Sequence, residues 1–267
     1  MRPLAEMPAG VASAIHTVLS DIDDTLTTEG RLTVEAYGAL QDLRDAGLRV
    51  VLVTGRPAGW CDHIARMWPV DAVIGENGAF YSWHDAHAHK LRTRHVFDDA
   101  QRARNTRRLA EVRDTILREV PGCALASDQF CRLYDLAIDF CEDVPPLPES
   151  AVQRIVALMA QAGMTAKVSS IHVNGWFGDY DKLSMAHLLM RERFGTELES
   201  ERERCLFVGD SPNDAPMFAY LPNAVGVANV ARFALPPGQS PAYVTPAEAG
   251  AGFAQLARLL IDARRGR

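Results

Sequence analysis

An apolar run that ends in a cluster of acids constrains this chain most. Thr17–Ser20 has the composition of a buried strand, and three acids follow it at once: Asp21, Asp23 and Asp24. Carboxylates are costly at the end of a buried strand unless they are paired or bind a cation, so the cluster indicates a site. Asp21 and Asp23 are two residues apart, and an extended backbone points both side chains the same way. One could act as a nucleophile and the other as a proton carrier, with a hard cation keeping both ionised.

Further apolar runs alternate with helical patterns along the first third of the chain. Leu48–Val53 is continuous and β-branched, as expected of a strand buried on both faces, and Ala72–Ile74 is a third short strand. Thr33 suits the cap of a helix that ends near residue 46, and Pro57 suits the start of a helix over about 58–67. This β-α-β-α-β order predicts a doubly wound, parallel sheet.

A different pattern occupies residues 83–178. Its helices and strands alternate in the manner of an α+β domain, with one exposed sheet face. The predicted elements are helices over Arg102–Glu119 and Glu149–Ala162, a strand over Phe130–Phe140, and paired strands over Thr165–Phe177 that turn at Ser169 and Ser170.

The doubly wound pattern resumes with a helix over Asp181–Phe194 and a buried strand over Arg204–Val208. We therefore predict an α/β protein whose doubly wound parallel-sheet core comprises residues 1–82 and 179–267. Residues 83–178 would form an inserted α+β domain.

Charge and composition narrow the class of partner. The net charge is −6, which disfavours nucleic acid, because a phosphate backbone requires a basic surface. Five cysteines form an odd set without a C-x-x-C pair, so we expect free thiols in a reducing compartment. Since no apolar run approaches the length of a membrane span, we expect a cytoplasmic enzyme without a membrane partner.

Chemically useful side chains stand at predicted strand ends or helix starts. In an open α/β sheet, ligands gather beyond the carboxyl ends of the strands, so side chains that follow strands should converge there. Together they supply a nucleophile, a proton carrier, a hydroxyl, a cation and metal-binding acids, which is the set that phosphoryl transfer needs. The side chains belong to Asp21, Asp23, Thr54, Lys182, Asp210 and Asp214.

These segments resemble the four motifs of the haloacid dehalogenase superfamily, in the right order and over nearly the whole length. The insertion between the second and third motifs is similar to the family's C2 cap class. Its α+β content resembles subgroup IIB, which includes Cof-like, sucrose-phosphate and trehalose-phosphate phosphatases. The matching segments are Asp-Ile-Asp-Asp-Thr-Leu (21–26), Val-Thr-Gly-Arg (53–56), Asp-Lys-Leu (181–183) and Gly-Asp-Ser-Pro-Asn-Asp (209–214).

The resemblance implies a role for each matching residue. Asp21 would attack phosphorus and form an aspartyl-phosphate, and Asp23 would protonate the leaving alcohol and then activate water. Mg²⁺ is the implied cofactor. The resemblance further implies phosphate binding by Thr54, Gly55, Lys182 and Asn213, and metal binding by Asp21, the Asp23 carbonyl, Asp210 and Asp214, the last of which could instead orient metal-bound water.

The inserted domain should choose the substrate, because the core meets only the phosphate. Polar groups beside an aromatic face suit a sugar, although each candidate could equally be structural. Arg56 and Asn77 lie near the expected mouth, and the candidates in the inserted domain are Arg132, His172, Asn174 and Trp176.

A histidine cluster formed by His84, His87 and His89 could bind a transition metal, but a polar loop or hairpin tip is the favoured interpretation.

We therefore predict a magnesium-dependent phosphomonoester hydrolase that acts on a small phosphorylated metabolite, with a sugar phosphate favoured. A sugar phosphomutase is the alternative, because water and a sugar hydroxyl compete for the same intermediate. A signalling receiver domain would have its acids in a different order and would lack the insertion. A noncatalytic binding module would lack a catalytic residue, and none is missing. A monomer and a homodimer are both compatible with the sequence.

Overall fold

The structure is a computed structural model that describes residues 1–169 and 171–266. Ser170, in the predicted turn, lies outside the described residues. The strands are β1 Arg2–Pro3, β2 Thr17–Ser20, β3 Thr27–Thr28, β4 Arg31–Leu32, β5 Arg49–Val53, β6 Ala72–Gly75, β7 Phe80–Asp85, β8 Lys90–His95, β9 Ala124–Leu125, β10 Asp135–Asp139, β11 Thr165–Val168, β12 His172–Trp176, β13 Cys205–Gly209, β14 Val225–Gly226 and β15 Tyr243–Val244.

The helices match the sequence-based expectations closely, because their caps can be recognised in the sequence. The Thr33 hydroxyl accepts the Ala36 N–H before α2, and Asp181 and Ser184 form a capping box at the start of α6. Within the described ranges, no helix combines the length and apolarity needed to cross a membrane. The helices are α1 Ala9–Ala14, α2 Val34–Asp45, α3 Ala58–Met67, α4 Asp99–Glu119, α5 Glu149–Gln161, α6 Lys182–Phe194, α7 Leu198–Glu201, α8 Ala215–Tyr220 and α9 Ala249–Arg265.

The larger sheet has the order β1-β15-β14-β13-β2-β5-β6-β7-β8. Its strands are parallel from β1 to β6, and β7 and β8 are antiparallel. Both faces are buried: Val18 and Val50 pack in the cluster that includes α1, α2, α3 and α9, whereas Leu19 and Val51 pack with α6, α7 and α8. This arrangement confirms the predicted doubly wound α/β fold and explains the uninterrupted apolar strands.

A second, antiparallel sheet has the order β11-β12-β10-β9. Ile138 and Val173 are cross-strand partners whose side chains join the apolar cluster formed with α4 and α5. The alternate positions carry polar side chains, including His172 and Asn174, which face the cavity described below.

The β7–β8 hairpin extends the core sheet, because the six residues Phe80–Asp85 pair with Lys90–His95. The predicted boundary at residue 83 therefore falls inside a core strand, and we propose that the inserted domain begins after His95.

The histidines of this hairpin, His84, His87 and His89, are exposed. They do not belong to the group of described side chains close enough together to share a metal ion, which consists of Asp21, Asp210 and Asp214.

The strand predicted over Phe130–Phe140 is wrong in its first half. A 3-10 turn covers Gln129–Cys131, and β10 begins only at Asp135. The N–H groups of residues 133–135 donate to the Glu76 carboxylate. Residues 133 and 134 therefore cannot use their N–H groups to pair with a neighbouring strand.

Candidate active site

Three adjacent parallel strands bring acidic and hydroxyl side chains to one edge of the core sheet. Asp21 follows β2, Thr54 follows β5 and Asp210 follows β13, and the sheet order places β2 between the other two. All three residues are buried. Because the carboxyl ends of parallel strands lie at the same edge, these residues converge although they are far apart in sequence.

Lys182, the first residue of α6, forms a buried ion-pair cluster with two of the acids. Its Nζ donates to Asp21 Oδ1 over 2.7 Å and to Asp214 Oδ1 over 2.8 Å. Burial alone would lower the pKa of Lys182, but the two carboxylates raise it above its ordinary value. Burial raises the pKa of Asp21, and Lys182 opposes that shift. Lys182 therefore stays charged and holds the Asp21 carboxylate in place.

Asp210 is held by two polar side chains that the sequence analysis did not identify. Thr25 Oγ1 donates to Asp210 Oδ1 over 3.1 Å, and Asn229 Nδ2 donates to Oδ2 over 3.2 Å. Burial and the nearby Asp214 raise the pKa of Asp210 to about 7. Thr25 could have been found as the residue that follows the acids of the first motif, whereas Asn229 lies in no motif.

A divalent cation fits this cluster. Asp21, Asp210 and Asp214 each offer a carboxylate oxygen within 4.8 Å of the others. Three buried carboxylates beside one ammonium carry excess negative charge, and oxygen ligands suit Mg²⁺. Asp214 differs from the other two, because Oδ1 accepts from Lys182 and Oδ2 accepts the Asp210 N–H over 3.1 Å. The contacts of Asp214 suit the positioning of its neighbours better than direct ligation.

Asp23 forms a bidentate ion pair with Arg56 in the described structure. Arg56 Nε lies 3.0 and 3.1 Å from the two Asp23 oxygens, and Nη2 lies 2.8 Å from Oδ1. The guanidinium also stacks on Trp60, 4.4 Å from the ring centre. The guanidinium of Arg56 is planar, and its contacts with Asp23 and Trp60 fix its orientation. It thereby orients the carboxylate of Asp23.

The loop after β5 is held by hydrogen bonds within the loop and to the turn that contains Asn77. The Thr54 hydroxyl accepts the Arg56 N–H over 3.0 Å, and the Thr54 carbonyl accepts the Asn77 N–H over 3.0 Å. A Cβ at Gly55 would lie 3.2 Å from the Asn77 amide, so the close approach of the two loops favours glycine. Gly55 and Asn77 both line the cavity.

A cavity of about 620 Å³ lies between the core and the inserted domain. Lys182, Thr54 and Asp214 are buried behind its wall. The sequence-predicted residues that line it are Asp21, Asp23, Gly55, Arg56, Asn77, Arg132, His172, Asn174, Asp210 and Asn213.

Two of the proposed substrate contacts have other partners. Trp176 does not line the cavity, because its ring is buried and stacks on Tyr180 at 5.7 Å between ring centres. Arg132 reaches the cavity, but its guanidinium pairs with Asp128 and Asp135. His172 and Asn174 also line the cavity, and each likewise has an acidic neighbour: His172 Nε2 lies 2.9 Å from Glu142 Oε2, and Asn174 Nδ2 donates to Asp135 Oδ2 over 2.9 Å.

Sequence comparison places the chain in a family. Residues 18–110 match the family model described as haloacid dehalogenase-like hydrolase. Phosphoglycolate phosphatase from Pyrobaculum neutrophilum is 32% identical over 203 residues, which cover 74% of this chain and 77% of that protein. A phosphoglycolate phosphatase from Pyrobaculum aerophilum is 34% identical over 147 residues, covering 53% of this chain and 54% of that protein.

Solved structures share the fold at lower sequence identity. The C-terminal domain of trehalose-6-phosphate phosphatase from C. albicans is 14% identical, with a TM-score of 0.69 and 98% of both chains covered. Sucrose-phosphatase from Synechocystis, solved with sucrose and phosphate, is 15% identical, with a TM-score of 0.61, 91% of this chain and 97% of that chain covered. The chain belongs to the haloacid dehalogenase-like hydrolase family and is one of its phosphatases.

Proposed function

We propose that the protein is a magnesium-dependent phosphomonoesterase that works through an aspartyl-phosphate at Asp21. The observation that supports this most is the buried cluster in which Lys182 holds Asp21 and Asp214 beside Asp210. A carboxylate fixed by an ammonium at the end of a central strand is available for in-line attack on phosphorus.

In the first half of the reaction, an Asp21 oxygen bonds to phosphorus while the bond from phosphorus to the substrate oxygen breaks. Asp23 donates its proton to the departing alcohol oxygen. Lys182 and the Gly55 N–H stabilise negative charge on the transferring group. Asn213 also lines this part of the cavity and could donate to a phosphate oxygen.

In the second half, Asp23 is a carboxylate and removes a proton from a water molecule that attacks the aspartyl-phosphate. The bond between phosphorus and the Asp21 oxygen breaks, which releases inorganic phosphate and restores the Asp21 carboxylate. Arg56 holds Asp23 in the direction required for both proton transfers.

Magnesium would be held by the carboxylates of Asp21 and Asp210 and by the Asp23 carbonyl. Asp214 would position these ligands through its contacts with Lys182 and the Asp210 N–H. When bound, it supplies positive charge that neutralises the phosphoryl oxygens.

The substrate is a small phosphorylated metabolite, for which the cavity of about 620 Å³ has a suitable size. A sugar phosphate is our first candidate, because His172 and Asn174 offer polar groups to hydroxyls. Phosphoglycolate is the second, because the relatives above carry that name and Lys167 also lines the cavity. Lys167 has no ion pair among the described residues, so it could bind a carboxylate. A cytoplasmic setting is part of the proposal, supported by the free thiols of all five cysteines.

The proposal is tested by phosphate release from an aryl phosphate, from sugar and polyol phosphates and from phosphoglycolate, with magnesium or with a chelator. We expect hydrolysis that needs magnesium and favours one class of metabolite. Asp21→Asn should abolish it, and Asp262→Asn, on the exposed face of α9, should leave it unchanged. Isomerised sugar phosphate without inorganic phosphate would favour a mutase, and full activity of pure Asp21→Asn enzyme would refute the nucleophile.

A further inference from the structure

Glu76 is a fully buried glutamate between the core and the inserted domain. It follows β6 in a short 3-10 turn over Glu76–Gly78. The backbone φ is +43° at Glu76 and +56° at Asn77, and such left-handed values are strained for residues other than glycine. Strain and a buried carboxylate at one position indicate that the side chain is held there by specific partners.

The partners of Glu76 are backbone N–H groups from both parts of the molecule. On the core side, the Ala58 N–H, at the start of α3, donates to Oε1 over 3.0 Å. On the side of the inserted domain, the N–H groups of Leu133, Tyr134 and Asp135 donate over 2.9, 2.6 and 3.1 Å. One carboxylate therefore joins the two domains through four donors.

The hydrogen-bond partners of Glu76 match its charged form. Burial and the nearby Asp135 raise the pKa of Glu76 to about 8, against the opposing effect of the N–H groups of Leu133 and Tyr134 and of the Arg132 guanidinium. Both carboxylate oxygens accept from N–H donors, so a proton on either oxygen would face a donor. The four N–H donors therefore favour the carboxylate while the two domains are in contact.

The same turn supports the catalytic loop. The Glu76 N–H donates to the Arg56 carbonyl over 3.2 Å, and Arg56 pairs with Asp23. From the inserted domain, Arg132 donates to the Gly55 carbonyl over 3.2 Å. The Glu76 backbone therefore contacts the loop that contains Gly55, whereas its carboxylate contacts the domain that covers this loop.

The inserted-domain contacts of Glu76 also connect to the far wall of the cavity. Asp135, whose N–H reaches Glu76, accepts from Asn174 Nδ2 over 2.9 Å, and Asn174 lines the cavity. Movement of residues 133–135 away from Glu76 would thus also move a candidate substrate contact.

We propose that Glu76 is a positioning residue that holds the inserted domain closed over the phosphate-binding loop by accepting the N–H groups of residues 133–135. Its effect on catalysis rests on the function proposed above, whereas its effect on domain contact does not. A substrate that contacts both domains binds well only when the inserted domain is closed. We therefore expect Glu76 to increase substrate affinity.

Hydrogen exchange of the donor amides is the direct test. Glu76→Gln keeps the shape of the side chain but replaces one acceptor oxygen with an NH2 group that faces other donors. The amide hydrogens of residues 133–135 should therefore exchange with solvent at least tenfold faster. Asp139→Asn is the matched control, because Asp139 is also buried and accepts N–H groups from Cys141, Glu142 and Asp143 inside the inserted domain. That control should speed exchange at 141–143 and leave 133–135 unchanged. Unchanged exchange at 133–135 in folded Glu76→Gln would overturn the proposal.

Steady-state kinetics separate positioning from general damage. In Glu76→Gln the KM of the best metabolite should rise at least tenfold while kcat stays within about threefold. The inhibition constant of inorganic phosphate, which needs only the core site, should stay within about twofold. An equal loss of phosphate and substrate binding would overturn the positioning role. If Glu76→Gln does not fold, Glu76→Asp, which keeps the charge on a shorter side chain, must show the same pattern at smaller amplitude. Wild-type values in Glu76→Asp would overturn the proposal.

Absence of phosphatase activity in the wild type would refute the proposed function, and hydrogen exchange would still decide the role of Glu76.

Discussion

Lys182 shows at the scale of single residues how the site tolerates so much buried charge. Its ammonium lies between Asp21 and Asp214, so each carboxylate has a partner at ion-pair distance. A buried pair of this kind contributes little net stability, because desolvation offsets attraction, but it fixes geometry. We infer that the cluster is retained to orient Asp21 rather than to stabilise the fold.

Arg56 provides the first prediction at this scale. Arg56→Ala removes the bidentate contact that orients Asp23 and the stacking on Trp60. We expect kcat to fall about 10- to 100-fold, because proton transfer depends on the direction of the Asp23 carboxylate. Arg66→Ala is the control, since Arg66 pairs with Asp62 on the exposed side of the following helix. Equal kcat values for both variants would contradict the role of Arg56.

At the scale of secondary-structure elements, the junction between the Glu76 turn and α6 allows almost no added volume. Gly78 has a φ of +108°, and a Cβ there would lie 2.0 Å from the Asp181 carbonyl oxygen. Asp181 caps the helix that begins with Lys182. The position of Lys182 therefore depends on a glycine in another loop.

Gly78→Ala should destabilise the protein by about 2 kcal/mol or more, because the backbone must shift and the residue is strained. Gly38→Ala is the matched control: Gly38 lies inside α2, and no neighbouring atom lies within 4 Å of an added Cβ. It should stabilise the protein by about 0.5–1 kcal/mol. Denaturant unfolding of both variants measures these free energies, and a neutral Gly78→Ala would contradict the packing argument.

The elements also explain what the sequence could predict. Asp21, Thr54 and Asp210 could be assigned to one sheet edge, because each follows an apolar run that reads as a buried parallel strand. The sequence pattern places residues 83–95 of the β7–β8 hairpin in the inserted domain, because their polar side chains hide the pairing of the hairpin with the core. The contacts of Glu76 and Asn229 could not be inferred, since side chains that bind distant backbone or carboxylate groups leave no local pattern.

At the scale of the whole molecule, the site lies between two bodies with separate apolar cores. The core supplies the acids, Lys182 and the loop that contains Gly55, while the antiparallel sheet supplies His172 and Asn174. In the function proposed above, the core carries the chemistry and the inserted domain chooses the substrate, as expected when a fold hosts a site that varies in specificity.

Metal binding should stabilise the whole molecule, because the acid cluster exists only when the chain is folded. Magnesium at about 100 times its Kd should add about 2.7 kcal/mol and raise Tm by about 5 °C or more. The shift should disappear in Asp210→Asn and persist in Asp262→Asn. Thermal unfolding with magnesium and with a chelator checks this, and an equal shift in both variants would place the ion elsewhere.

The chemical role of Asp21 can be measured most directly by trapping the covalent intermediate. Asp23→Asn enzyme, which lacks the group that activates water, should be mixed with magnesium and an aryl phosphate, whose phenolate leaves without the proton that Asp23 would donate. The mixture should be quenched and treated with borohydride, which converts an aspartyl-phosphate to homoserine. Peptide mass spectrometry should then find homoserine at position 21 and no change in a sample without substrate. Homoserine at any other position, or none while the wild-type enzyme hydrolyses the same substrate, would contradict the account.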